Sequence, residues 1–166
     1  MNSHLSRFAT LCLALAVLTL ASCSSTYMKR AEGAHRALHH GDYKRAVKLI
    51  EDAKPAQKDM LLYLMDKGMI LHVAGRYEES NKVLSEAEEL AKGIRSKSVS
   101  REVGATLGSE EATEYSGDRH EVVMIPVIRM LNYIMMDDWN GALVEVRRVE
   151  NLAGDFYGSS KNFDNA

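Results

Sequence analysis

A chain of 166 residues has room for one modest domain, and its 46% hydrophobic and 27% charged residues place it among folded globular chains rather than disordered ones. Its formal net charge of -2 excludes the strongly basic footprint that binding to nucleic acid requires. Two prolines, sparse aromatics and a middle filled with Ala, Leu, Glu, Lys and Met favour helix.

Near the start Arg7 supplies a single positive charge, followed by an almost unbroken apolar run from Phe8 to Leu20. That run is short for a stretch meant to cross a hydrocarbon core about 30 Å thick. It suits the apolar region of a signal peptide, so residues 1–22 are read as a cleaved leader. Leu20-Ala21-Ser22-Cys23 follows, with small residues next to a thiol. This tetrapeptide resembles the lipobox of bacterial lipoproteins. The resemblance implies cleavage before Cys23 and acyl chains (diacylglycerol, palmitate) on its sulfur, and two or three such chains hold a protein durably on a membrane. An ordinary cleaved leader with an incidental cysteine, or an uncleaved anchor, are the other readings. Cys12 would leave with the leader, so the mature chain would have no free thiol and no disulfide. Ser24, where inner-membrane lipoproteins of enteric-type bacteria carry Asp, implies transfer to the outer membrane facing the periplasm, with the inner membrane as the alternative.

Residues 23–26 read as a tether. Tyr27 to His39 is a first helix and Tyr43 to Ala53 a second, joined by His40-Gly41-Asp42 and closed by Pro55. Gln57 to Ala74 has the broadest apolar face. After Gly75-Arg76, Tyr77 to Ala91 turns Val83, Leu84, Ala87, Leu90 and Ala91 inward and Glu78, Glu79, Lys82, Glu86 and Glu89 outward. Residues 92–119 hold four glycines and five serines and read as a loop with one short helix near 99–107. Residues 120–152 form a third helix pair that turns at Asp137-Asp138. Pro126 either starts its first helix or kinks a longer one, and Val127, Met130, Leu131 and Ile134 are expected to share its inner face. Residues 153–166 are a polar tail.

Gly41-Asp42-Tyr43 recurs 34 residues later as Gly75-Arg76-Tyr77, and the register continues. Ala46 matches Ser80, Leu49 matches Val83, Ile50 matches Leu84, and Ala53 matches Ala87. Asp137-Asp138-Trp139 is a third copy out of strict phase, with Ala142 at the small position and Val146 and Val149 at the apolar ones. A period of 34 with helix–turn–helix character resembles the tetratricopeptide repeat. In the second copy Leu64, Gly68, Leu71, Ser80, Leu84 and Ala87 take the positions of that motif, and in the third Tyr133 and Ala142 do. Lys92 stands where a proline often ends the repeat, Met130 replaces the first-helix glycine, and Arg30 stands where a large apolar residue is expected. The resemblance covers residues 27–91 and 121–152. It implies an all-α domain of about three helix pairs, stacked because one pair cannot bury its own apolar face. Lipoproteins with a related segment around Asp137-Asp138-Trp139, mostly without an assigned role, often continue further. The last apolar face is therefore expected to need a partner, a second copy or more chain.

Residues that could carry chemistry each have a plainer reading. Glu32, His35 and His39 share helical spacing that suits a metal, or form a solvated face. His72 complements a helix C-terminus. Asp118, His120 and Glu121 could form an acid–base group beside the loop. Asp137 and Asp138 are adjacent and better suited to capping a helix than to facing each other across a cleft. The methionines at 60, 65, 69, 124, 130, 135 and 136 are read as core filler, with a binding groove as the alternative. Glu145, Arg147 and Arg148 form a charged stripe, the best polar candidate for a partner contact. No catalytic residue, metal or cofactor is expected. The expected function is a non-catalytic outer-membrane lipoprotein acting as a protein-interaction scaffold or accessory factor. The alternatives are a periplasmic enzyme with its site around residues 92–121, and a structural lipoprotein that self-associates through its C-terminal helix pair.

Overall fold

The computed structural model describes residues 26–104 and 115–158, and among these all regular structure is helical. The leader, Cys23 and residues 159–166 lie outside the described residues. The helices are α1 (Thr26–His39), α2 (Tyr43–Asp52), α3 (Met60–Val73), α4 (Tyr77–Gly104), α5 (Arg119–Met135) and α6 (Trp139–Tyr157), and a 3-10 turn, Gln57–Asp59, leads into α3. Each helix packs on the next, most closely within the pairs α1–α2, α3–α4 and α5–α6. The first pair leans on α3, and the third on α4 and α3.

The three pairs turn through one backbone motif. Gly41 and Gly75 sit at φ 74° and Asp137 at φ 58°, the left-handed region where a non-glycine residue is strained. The residue after each directly precedes the new helix, and the hydrogen bonds match. Asp42, Arg76 and Asp138 donate through their backbone N–H to the carbonyls of Ala37, Leu71 and Tyr133, all at 2.9 Å. The carbonyls of the same three residues then accept from Ala46, Ser80 and Ala142. Those three small residues, matched in the sequence, are all buried. Asp42 and Asp138 also cap their helices, accepting from the backbone N–H of Arg45 at 3.1 Å and of Gly141 at 2.9 Å. The capping role expected at Asp137-Asp138 thus falls to Asp138, while Asp137 takes the strained turn position.

The core runs along the pairs. Ala31, Ala34, Ala46 and Ile50 of the first pair share one buried cluster with Leu61, Leu64 and Leu71 of α3 and Leu84, Ala87 and Ala91 of α4. Gly68 is buried where α3 and α4 touch. A Cβ there would come within 2.4 Å of Leu84 Cδ2, so only glycine allows this approach.

Two expectations are corrected. Helix α4 does not end at Ala91: it continues through residues 92–104, so most of the expected loop is helix, and residues 105–114 lie outside the described chain. The reason is local, since Lys92 stands where a proline would stop the helix and instead pairs with Glu88 and Glu89 one turn back. Pro126 lies inside α5, as the reading of one longer helix had it. Helix α6 runs past Leu152 and through Gly154 to Tyr157, shortening the expected tail.

Candidate functional site

The inner face of α5 is not the one apolarity alone selects. Val122, Ile125, Pro126, Ile128, Arg129 and Asn132 are buried, whereas Leu131 is exposed and Val127, Met130 and Ile134 are half-buried. Two polar residues thus enter the interface between the second and third pairs, and each brings partners. Asn132, with no exposed surface, donates through Nδ2 to Ser80 Oγ (2.9 Å) and Asn81 Oδ1 (2.8 Å). Ser80 passes its own proton to the Gly68 carbonyl at 2.7 Å. Asn132 Oδ1 can only accept, so His72 Nδ1, 2.6 Å away, is the donor in that contact. His72, expected to complement a helix end, is therefore the outer link of a chain joining α3, α4 and α5.

The second polar residue joins a buried ionic cluster. Arg129 Nη1 donates to Glu88 Oε2 and Nη2 contacts Glu145 Oε1, both at 2.8 Å. Arg148 and Lys92 reach Glu88 Oε1 at 3.1 and 3.0 Å. Burial alone would raise Glu88, but the hydrogen bond from Lys92 and the charges of Arg148, Lys92 and Arg129 outweigh it and hold the carboxyl below its ordinary range. At Glu145 burial wins over Arg129 and Arg148 and pushes the carboxyl up. Its Oε2 has no hydrogen-bond partner, nor does Arg148 Nε, which lies 3.6 Å from it. Glu145 is only 1% exposed, so it is not part of the exposed charged stripe expected for Glu145, Arg147 and Arg148. Arg147 is exposed and Arg148 half-exposed.

The other candidates are dispersed. His35 Nε2 lies 3.3 Å from Asp66 Oδ2, which also accepts from Tyr27 OH at 2.7 Å. Glu32 pairs with Arg36, and His39 is exposed. Glu32, His35 and His39 thus have different neighbours, and no group of metal-ligating side chains occurs among the described residues. Glu121 accepts from the Asp118 backbone N–H (2.8 Å) and from Tyr115 OH, which closes the start of α5, while Asp118 and His120 are exposed. Burial and the Glu121 hydrogen bond raise the Tyr115 phenol, and the Tyr115 hydroxyl helps hold Glu121 low against burial.

The methionines expected as core filler divide, with Met130 and Met136 half-buried. Met60 and Met65 pack partly against the core, whereas Met69, Met124 and Met135 are exposed, the last at 58%. Met124 and Met135 lie on the third pair, as do the exposed Leu131 of α5 and Trp139 (62%), Leu143 (56%) and Val144 of α6. Trp139 and Leu143 are one helical turn apart and share a face. Separately, α3 and α4 border an open groove of about 430 Å³, floored by Met60, Leu64, Leu71 and Val83 and rimmed by lysines and glutamates.

No helix among the described residues is long and apolar enough to cross a membrane. The chain matches no protein-family model, no curated protein and no solved structure.

Proposed function

We propose that this chain is a lipid-anchored, non-catalytic scaffold of the bacterial envelope, a tetratricopeptide-like stack of three helix pairs held to membrane through Cys23 at the periplasmic face of the outer membrane. The observation that carries the reading is the uncovered apolar face of the last pair, Leu131, Met135, Trp139 and Leu143, on a stack whose three turns share one backbone motif. Exposed contiguous apolar side chains on a folded chain mark interaction surfaces, and stacked helix pairs leave such faces at their ends. The engagement of Glu121 in a helix cap and the exposure of Asp118 and His120 favour a binding role over acid–base catalysis. The lipid confines the scaffold near the membrane and raises its effective concentration there.

Two measurements test the two halves. Intact-mass analysis of protein recovered from bacterial membranes, beside Cys23→Ser, should show loss of residues 1–22 and added acyl chains only with the cysteine. A photo-crosslinker at position 143 in growing cells should yield one defined adduct that Trp139→Glu removes. An adduct to the chain itself would make the face a self-association surface, and no adduct would reject the scaffold reading.

A further inference from the structure

The described chain is electrically polarised along its stack. Between residues 26 and 54 there are seven Lys and Arg against four Asp and Glu, and between 119 and 158 four against six. In the first pair Arg36 pairs with Glu32, and the other cations, Lys29, Arg30, Lys44, Arg45, Lys48 and Lys54, are exposed and have no ion-pair partner among the described residues. The first pair's own carboxylates are mostly occupied elsewhere. Asp42 caps α2, Glu32 holds Arg36 and Glu51 reaches Lys67 of α3 at 3.5 Å. Lys44 and Lys48 are one turn apart on α2, opposite its buried side of Ala46, Val47 and Ile50. Met28, beside Lys29 and Arg30, and Tyr43, beside Lys44 and Arg45, are 44% and 45% exposed. Each end of the face thus sets one exposed hydrophobic side chain among cations.

We infer that this outer face of α1 and α2 lies against a bilayer of anionic phospholipid. The inference rests on the anchor at Cys23, which leaves residues 23–25 as the only spacer between acyl chains and α1, a reach of roughly 10 Å when extended. A basic face held that close to a membrane lies within the range of headgroup phosphates, where each Lys or Arg adds attraction. The Tyr43 side chain, with its apolar ring and polar hydroxyl, suits the headgroup layer, and the apolar Met28 side chain can enter it. An acidic protein would satisfy the same cations, but the tether puts the lipid surface there first. The lipid thereby orients the stack as well as retaining it, and the acidic, apolar third pair is left at the opposite end of the sequence of pairs.

The test uses the full chain from bacterial membranes, its mass first read for acyl chains, reconstituted in phosphatidylcholine vesicles with or without about 30 mol % phosphatidylglycerol. Tyr43→Trp in a Trp139→Phe background places a single indole on the face, and headgroup spin-labelled lipid quenches what touches it. Quenching should be at least about threefold stronger on the anionic vesicles, fall to the neutral level in about 0.5 M salt, and be lost in Lys44→Glu/Lys48→Glu, whose exposed positions leave the fold intact by circular dichroism. The native Trp139, with Tyr43 in place, should stay unquenched on both. Equal quenching on both compositions would overturn the inference, as would no quenching on either while the protein floats with the vesicles. A mass without acyl chains would reject the anchor alone. Added vesicles of the two compositions would then still report on the basic face.

Discussion

Gly68 and the Glu88–Arg129–Glu145 cluster are where single side chains decide most. At Gly68 the Leu84 side chain fills the space a Cβ would take. Gly68→Ala should cost about 1–3 kcal/mol through overpacking, more than the helix propensity of alanine returns, and urea denaturation would read it. The two carboxylates of the cluster predict opposite pH dependences. Glu88 is held below its ordinary value of 4.5, so its contribution is fully present above that value and is lost as pH falls through its lower folded value. Glu145 is raised above 4.5, so its contribution is present below that value and is lost as pH rises through its higher folded value. Chemical denaturation across pH should therefore show the acid limb flattened in Glu88→Gln and the limb above 4.5 flattened in Glu145→Gln. Glu88→Gln should also lose about 3–5 kcal/mol near neutrality, because the buried Arg129 loses the carboxylate that the fold holds ionised, whereas Glu145→Gln should cost little there. Loss of the same limb in both would reject this division of roles.

At the scale of elements, the three turns carry a paired prediction. Gly75→Ala forces a Cβ into the left-handed region and should destabilise by about 1–2 kcal/mol, whereas Asp137→Gly removes that strain and should stabilise by up to about 1 kcal/mol, both measured by thermal unfolding. The turns were legible because a glycine or aspartate able to take positive φ, followed in two of the three by a capping aspartate, is a conformational signal that needs no tertiary context. The outward face of α4, with Glu78, Glu79, Lys82, Glu86 and Glu89, was legible for the same reason, and all five are exposed. The far half of α4 was not. Gly93 and the serines after it read as loop, yet a helix already begun is stopped by a blocking residue, not by indifferent ones. Gly93 has open space around the position of a Cβ. Gly93→Ala should consequently raise stability by about 0.5–1 kcal/mol, which a true loop glycine with positive φ would not allow.

At the scale of the whole molecule, the buried polar residues hid the seam between the second and third pairs. Ala142, Glu145, Val149 and Leu152 follow one helical face, as do Val122, Ile125, Arg129 and Asn132, so strict periodicity taken from Ala142 or Val122 points Glu145, Arg129 and Asn132 inward. Apolarity alone points them out, because a buried charge is tolerated only when another helix supplies its partner, which no single segment discloses. That seam also determines how the stack opens. Stability in stacked helix pairs is nearly a sum of local terms and nearest-neighbour interfaces. Asn132 binds Ser80 and Asn81 of α4 and His72 of α3, so it belongs to the interface term and not to the third pair itself. Asn132→Ala strands the acceptor of Asn81 and the donor of His72, a loss of order 1–3 kcal/mol per buried group left unpaired. Amide hydrogen exchange should then show α5 and α6 losing protection first while α1 to α3 keep theirs. A uniform loss along all six helices would mean that the pairs unfold as one unit and that the polar seam does not separate them.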